Sequence, residues 1–140
     1  MKRAYVFGPI YLFGKNFLTT YKKLNRICEK YFDQVIGTYP DFWNSKETPR
    51  TFYKRTYRTI TKCDLFIAEV SSPSHGVGME LQMAQEHNIP VVALVKEGID
   101  FSKSKMVLGL PNLHKIIYYK DVRGLVAEVE KEIKDFLKID

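Results

Sequence analysis

Short, mostly apolar runs alternate along this chain with longer segments in which apolar residues return every three or four positions. The runs at 3–7 (RAYVF), 65–68 (LFIA), 89–95 (IPVVALV) and 113–119 (LHKIIYY) suit strands buried in a sheet, and 33–37 suits a shorter one. Between them, Phe17, Tyr21, Leu24, Cys28 and Tyr31 trace one face of a helix predicted over 15–32, with Lys22, Lys23 and Arg26 turned to water. A second helix is predicted over 49–62, entered through Thr48-Pro49, because proline is preorganised for the first helical position. A third is predicted over 79–88 and a short one after Met106. A last one is marked by the stripe Val122, Leu125, Val126, Val129, Ile133, Phe136 and Leu137.

Strands alternating with helices require right-handed parallel crossovers. The predicted fold is therefore a three-layer α/β sandwich around a doubly wound, five-stranded parallel sheet of order 2-1-3-4-5. That order sets the loops after the first and third strands side by side. It brings Tyr5, Gly8, Ser74 and Glu80 into one pocket at the carboxyl edge of the sheet.

With 140 residues, 45% of them hydrophobic, the chain has enough material for one core, so one domain over 1–140 is expected. No apolar run approaches the length of a membrane span, and Met1-Lys2-Arg3 leads into a strand without a cleavable signal pattern, so a cytoplasmic protein is expected. Cys28 and Cys63 fall at core-like positions and read as small buried hydrophobes. His75, His87 and His114 lack ligand spacing, so neither metal nor cofactor is expected. The net charge of +6 fits a nucleic-acid surface or an anionic metabolite, but the cations form no block, which makes nucleic acid the weaker choice.

Residues 64–81 (DLFIAEVSSPSHGVGMEL) concentrate the candidate chemistry. A buried strand runs through a loop rich in serine and glycine, including Gly76 and Gly78, into a helix start predicted at Met79. Free backbone N–H groups and the positive end of the helix dipole then meet at one point, a natural anion site. Glu80 lies there. An acid in a first helical turn gains from the dipole without any function; a nucleophile or general base held at the sheet edge is the other reading. Glu69 either orients the loop or binds substrate, or is simply hydrogen-bonded to loop N–H groups, and His75 reads as a bystander. Tyr39, Phe42 and Trp43, on the turn-rich segment 38–48, could stack on a base or cap the core.

The stretch Ala68-Glu69-Val70 followed by Pro73-Ser74-His75-Gly76-Val77-Gly78-Met79-Glu80-Leu81 resembles the signature of the nucleoside 2-deoxyribosyltransferase superfamily, and more closely its 2'-deoxynucleoside 5'-phosphate N-hydrolase branch. The first strand and turn, Tyr5-Val6-Phe7-Gly8-Pro9-Ile10, are similar to that family's as well. The resemblance implies a Rossmann-like or flavodoxin-like fold, with Glu80 as nucleophile at the anomeric carbon and the Tyr5 hydroxyl beside it. It further implies substrate contacts from Gly8, Ile10, Ser74 and Gly76. Ser104 and Met106 fit the pattern of a Ser and a Met that reach the neighbouring subunit's site and its substrate phosphate, implying a homodimer or higher oligomer.

Two departures stand out. Tyr11 holds a place where the hydrolases often carry Arg, and Thr56 the place of an Asp twenty-four positions before the nucleophile that handles the base or its leaving proton. Six positions before the nucleophile the transferases tend to carry an acid and the hydrolases a Ser; this chain has Ser74. The expected reaction is hydrolysis of the N-glycosidic bond of a 2'-deoxynucleoside 5'-monophosphate through a Glu80 glycosyl-enzyme. Base exchange and a nucleotide-binding module without turnover remain as alternatives.

Overall fold

A computed structural model describes residues 1–9, 11–12, 15–37 and 46–140. Five parallel strands form the central sheet: β1 (Arg3–Phe7), β2 (Gln34–Gly37), β3 (Leu65–Glu69), β4 (Val91–Lys96) and β5 (Leu113–Tyr119), in the order β2-β1-β3-β4-β5. This is the order predicted from the sequence. Ala4 pairs with Leu65 and Phe7 with Ala68, which aligns the carboxyl ends of β1 and β3.

Alternation along the strands divides the core into two layers. Tyr5, Phe7, Phe66, Ala68 and Val70 pack with Ile60, Val77, Leu81 and Ala84, from α2 (Pro49–Ile60) and α3 (His75–Glu86). Ala4, Val6, Leu65 and Ile67 pack with Tyr21, Leu24 and Cys28 of α1 (Leu18–Glu29) and with Leu125, Val129 and Ile133 of α5 (Val122–Leu137). Cys28 and Cys63 are both buried and unpaired in a disulfide. A one-turn helix, α4 (Lys105–Leu108), lies between β4 and β5.

Local chemistry sets the helix starts. Thr48 caps α2 by accepting the Thr51 N–H at 3.2 Å, with Pro49 behind it, and Asp121 caps α5 by accepting the Gly124 N–H at 2.7 Å. Two boundaries differ from the predicted ones. The first helix begins at Leu18 rather than residue 15, because Lys15–Asn16 pairs antiparallel with Tyr11–Leu12 and Asn16 Oδ1 accepts the Leu18 N–H. The third begins at His75, four residues before Met79. Ser74 is extended and accepts the Val77 N–H at 3.3 Å, so the cap starts the helix ahead of both glycines. Gly76 and Gly78 therefore belong to the helix rather than to a loop, and Glu80 sits in its second turn, beyond the strongest pull of the dipole. Among the described residues no helix is long and apolar enough to cross a membrane.

Candidate active site

β1 delivers Tyr5 and α3 delivers Glu80 to the same side of the sheet, and both side chains are buried, at 1% and 6% exposure. They lie within electrostatic reach of each other. Burial pushes the Glu80 carboxyl up to about 8, and the Tyr5 hydroxyl pulls it part of the way back by favouring the ionised form. Burial, and then the charge of Glu80, hold the Tyr5 hydroxyl well above its ordinary range. No strict hydrogen bond joins the two: Tyr5 Oη and Glu80 Oε2 are both buried without a partner among the described residues. Buried polar atoms are costly to leave unpaired, and when they cluster they mark a place where a ligand can supply the missing bonds.

Thr56, where the resemblance would place an Asp, is buried on α2 with its Oγ1 also unpartnered among the described residues. Beside it in sequence, Arg55 holds Glu47 through two nitrogens, and its charge is felt weakly at Tyr5. No carboxylate takes the place of the family's Asp at this position.

Gly76 lies beside the nucleophile candidate, since a Cβ built on it would stand 3.9 Å from Glu80 Oε1. Ser74 caps α3, and its hydroxyl, accepting from Val77, keeps its own proton free to donate. Gly8 is enclosed: a Cβ there would lie 2.3 Å from Tyr21 Oη and 2.7 Å from Glu69 Cβ, so packing forbids any side chain. Ile10 lies outside the described residues, as do Tyr39, Phe42 and Trp43.

A cavity of about 540 Å³ lies between residues 70–78 and residues 99–107. Ser74, Ser104 and Met106 all line it, together with Lys103, Lys105 and the exposed His75; Tyr5, Glu80 and Gly8 do not. Ser104 occupies the N-terminal boundary of α4, but its hydroxyl makes no capping bond, unlike that of Ser74. Met106 is 88% exposed, which is unusual for a large apolar side chain. Asp100 also lines the cavity, with its carboxylate engaged by the backbone and side chain of Ser102 and held below its ordinary range by those bonds.

A second polar cluster lies on the other face of the sheet; sequence reasoning anticipated its bond between Glu69 and a loop N–H but missed its tyrosines. Glu69 accepts from the Ser71 N–H and from the Tyr119 hydroxyl, and Tyr21 Oη donates to the Pro9 carbonyl at 2.6 Å. Glu69 carried a signal as an acid ending an otherwise apolar strand. Tyr21 and Tyr119 carried none, because each fits an apolar pattern. Among the described residues no group of three or more His, Cys, Asp or Glu side chains could hold a metal ion.

Comparison with solved structures gives the same fold. A CMP N-glycosidase from Clostridium botulinum superposes with a TM-score of 0.68 at 19% identity, over 92% of this chain and 99% of that one. A conserved protein from Enterococcus faecalis superposes with a TM-score of 0.63 at 15% identity, over 94% and 99%. No family model matches the chain. Curated relatives do. A Methanosarcina mazei protein is 33% identical over 131 residues, spanning 89% of this chain and 78% of the relative. One from Methanosarcina barkeri is 34% identical over the same spans. A Syntrophotalea carbinolica protein is 44% identical over 66 residues, 47% of this chain and 46% of the relative, so that match covers less than half of either. All three carry the provisional name 2'-deoxynucleoside 5'-phosphate N-hydrolase 1. The class of protein these curated relatives define is an N-glycosidase. The chain belongs to the 2'-deoxynucleoside 5'-phosphate N-hydrolase family.

Proposed function

We propose that this chain hydrolyses the N-glycosidic bond of 2'-deoxynucleoside 5'-monophosphates, releasing free base and deoxyribose 5-phosphate, with Glu80 as the nucleophile. The observation that carries this reading is the buried, unpartnered pair formed by Tyr5 of β1 and Glu80 of α3. In the first step a Glu80 oxygen bonds to C1' as the C1'–N bond breaks, and the electron pair leaves with the base. In the second, water attacks C1', the ester bond breaks, and the carboxylate is restored. Net, water supplies the hydroxyl that the sugar gains and the proton that the base gains. Tyr5 orients Glu80 and favours its ionised form.

The substrate phosphate belongs in the cavity beside Ser74, where a hydroxyl at a helix N-terminus donates to an anion and Ser104, Lys103 and Lys105 add donors and positive charge. Gly8, Ile10 and Gly76 complete the substrate contacts, with Gly8 acting by letting the loop come close. The acting form is a homodimer or higher oligomer, in which Ser104 of one chain reaches its neighbour's pocket. The unspent Ser104 hydroxyl and the exposure of Met106 support that assembly. A nucleotide substrate fits the cytoplasmic location expected from the sequence. The test is release of free base from a deoxynucleoside 5'-monophosphate by the wild-type chain and by Glu80→Gln.

A further inference from the structure

Glu69 is 1% exposed and ends β3 on the face opposite Tyr5 and Glu80. A carboxylate in such a place costs stability, and burial raises its pKa accordingly, although the Lys96 ammonium close by offsets part of that cost. What it receives is two donors on two oxygens. Oε1 accepts the Ser71 N–H at 2.5 Å and Oε2 accepts the Tyr119 hydroxyl from the end of β5. Ser71 is fixed again through its Oγ, which accepts the Lys96 N–H at 2.7 Å. The Glu69 Cβ, in turn, fills the space that Gly8 leaves by having no side chain.

The ends of β3 and β5 therefore meet at this one side chain, along with the turn after β1, and the end of β4 joins them through Ser71. Glu69 does not line the cavity, whereas Ser71, the residue it holds, does. From Ser71 the chain runs only three residues to Ser74, the cap that starts α3 and aims Glu80. The chain must leave the sheet within that short span, and the Ser71 N–H no longer has a strand neighbour. Without the carboxylate that amide would be buried unpaired.

We propose that Glu69 is the positioning residue of this site, holding segment 71–74 through the Ser71 amide and so setting the start of α3. It acts as a hydrogen-bond acceptor, with no role for its charge in the chemistry. The inference rests on the proposed reaction only for its kinetic arm.

The test compares Glu69→Gln, which keeps an acceptor oxygen for Ser71, with Glu69→Met, which keeps the length and removes the acceptor. Tyr119 can turn its hydroxyl to accept from the Gln amide, so the first variant preserves the network. Amide hydrogen exchange is read at Ser71, with the Phe66 amide, bonded to the Pro90 carbonyl, as the internal reference. Glu69→Met is expected to speed exchange at Ser71 by about tenfold or more, the loss of one charge-assisted bond, while leaving Phe66 unchanged. Glu69→Gln is expected to stay within about threefold of wild type. With a deoxynucleoside 5'-monophosphate, Glu69→Met should raise KM by a larger factor than it lowers kcat, and Glu69→Gln should restore both. Unchanged exchange at Ser71 in Glu69→Met overturns the proposal, as does equal acceleration at Phe66. Kinetics equally damaged by Gln and Met would instead assign Glu69 a chemical role and overturn it too. The exchange arm decides even if no nucleotide is turned over.

Discussion

Tyr5 Oη and Glu80 Oε2 are buried near each other between β1 and α3, close enough to shift one another's titration, yet neither is hydrogen-bonded among the described residues. A site at rest with two unmet polar atoms is ready to accept a substrate that meets them. It also ties function to pH in a definite direction.

Burial places the folded-state pKa of Glu80 at about 8, against 4.5 for the unconstrained group. Between these values the folded chain binds one more proton than the unfolded chain, so stability falls as pH rises from about 4.5 to about 8 and is lowest above that range. Glu80→Gln removes this dependence. Denaturant titrations are expected to show the variant gaining on the wild type between pH 5 and pH 9 by on the order of a few kcal/mol. A constant difference across that range would contradict a buried, proton-retaining Glu80. The kcat/KM of the wild type should rise with pH toward a plateau above about 8, because the nucleophile must be ionised. Tyr5→Phe should move that limb to higher pH.

Ser74 is predicted to discriminate phosphate-bearing substrates. A carboxylate in its place would still cap α3, since Asp is as good a cap as Ser, but it would repel a phosphate dianion. Ser74→Asp is therefore expected to lower kcat/KM on the monophosphate by at least tenfold while leaving the rate on the corresponding nucleoside nearly unchanged. Loss on both substrates alike would mean that Ser74 serves only the helix.

The sheet was legible because most of its strands are apolar runs and its helices carry clean three-and-four spacing; right-handed crossovers make the sheet parallel, and order 2-1-3-4-5 is one of the common doubly wound arrangements of such a sheet. The start of α3 was not legible in the same way. Gly76 and Gly78 signal a loop by propensity, but the cap at Ser74 and the packing of Val77 and Leu81 against the sheet outweigh two exposed glycines. The Tyr5–Glu80 pair could be foreseen from the motif. So could a Glu69 carboxylate held by loop N–H groups, as at Ser71; its bond from Tyr119 could not, because it joins residues fifty positions apart through a tyrosine that sequence pattern assigns to the core.

The shared-site assembly makes a prediction that a single-chain site does not. Glu80→Gln and Ser104→Ala are each expected to be impaired alone. If Ser104 acts on its neighbour, a mixed dimer contains one site with both residues intact, so mixing the two proteins after partial dissociation should restore activity. No recovery, or sedimentation as a monomer with full activity, would confine Ser104 to its own chain's cavity, where it already lies beside Ser74.

The most direct measurement follows free base and deoxyribose 5-phosphate by chromatography as the wild type and Glu80→Gln are each incubated with deoxynucleoside 5'-monophosphates, the parent deoxynucleosides and a second added base. The account predicts release from at least one monophosphate by the wild type, a strong preference over the nucleoside, no transfer to the added base, and loss of turnover in a folded Glu80→Gln. Wild-type rates in Glu80→Gln, or efficient exchange onto the second base with equal use of nucleoside and nucleotide, would contradict it.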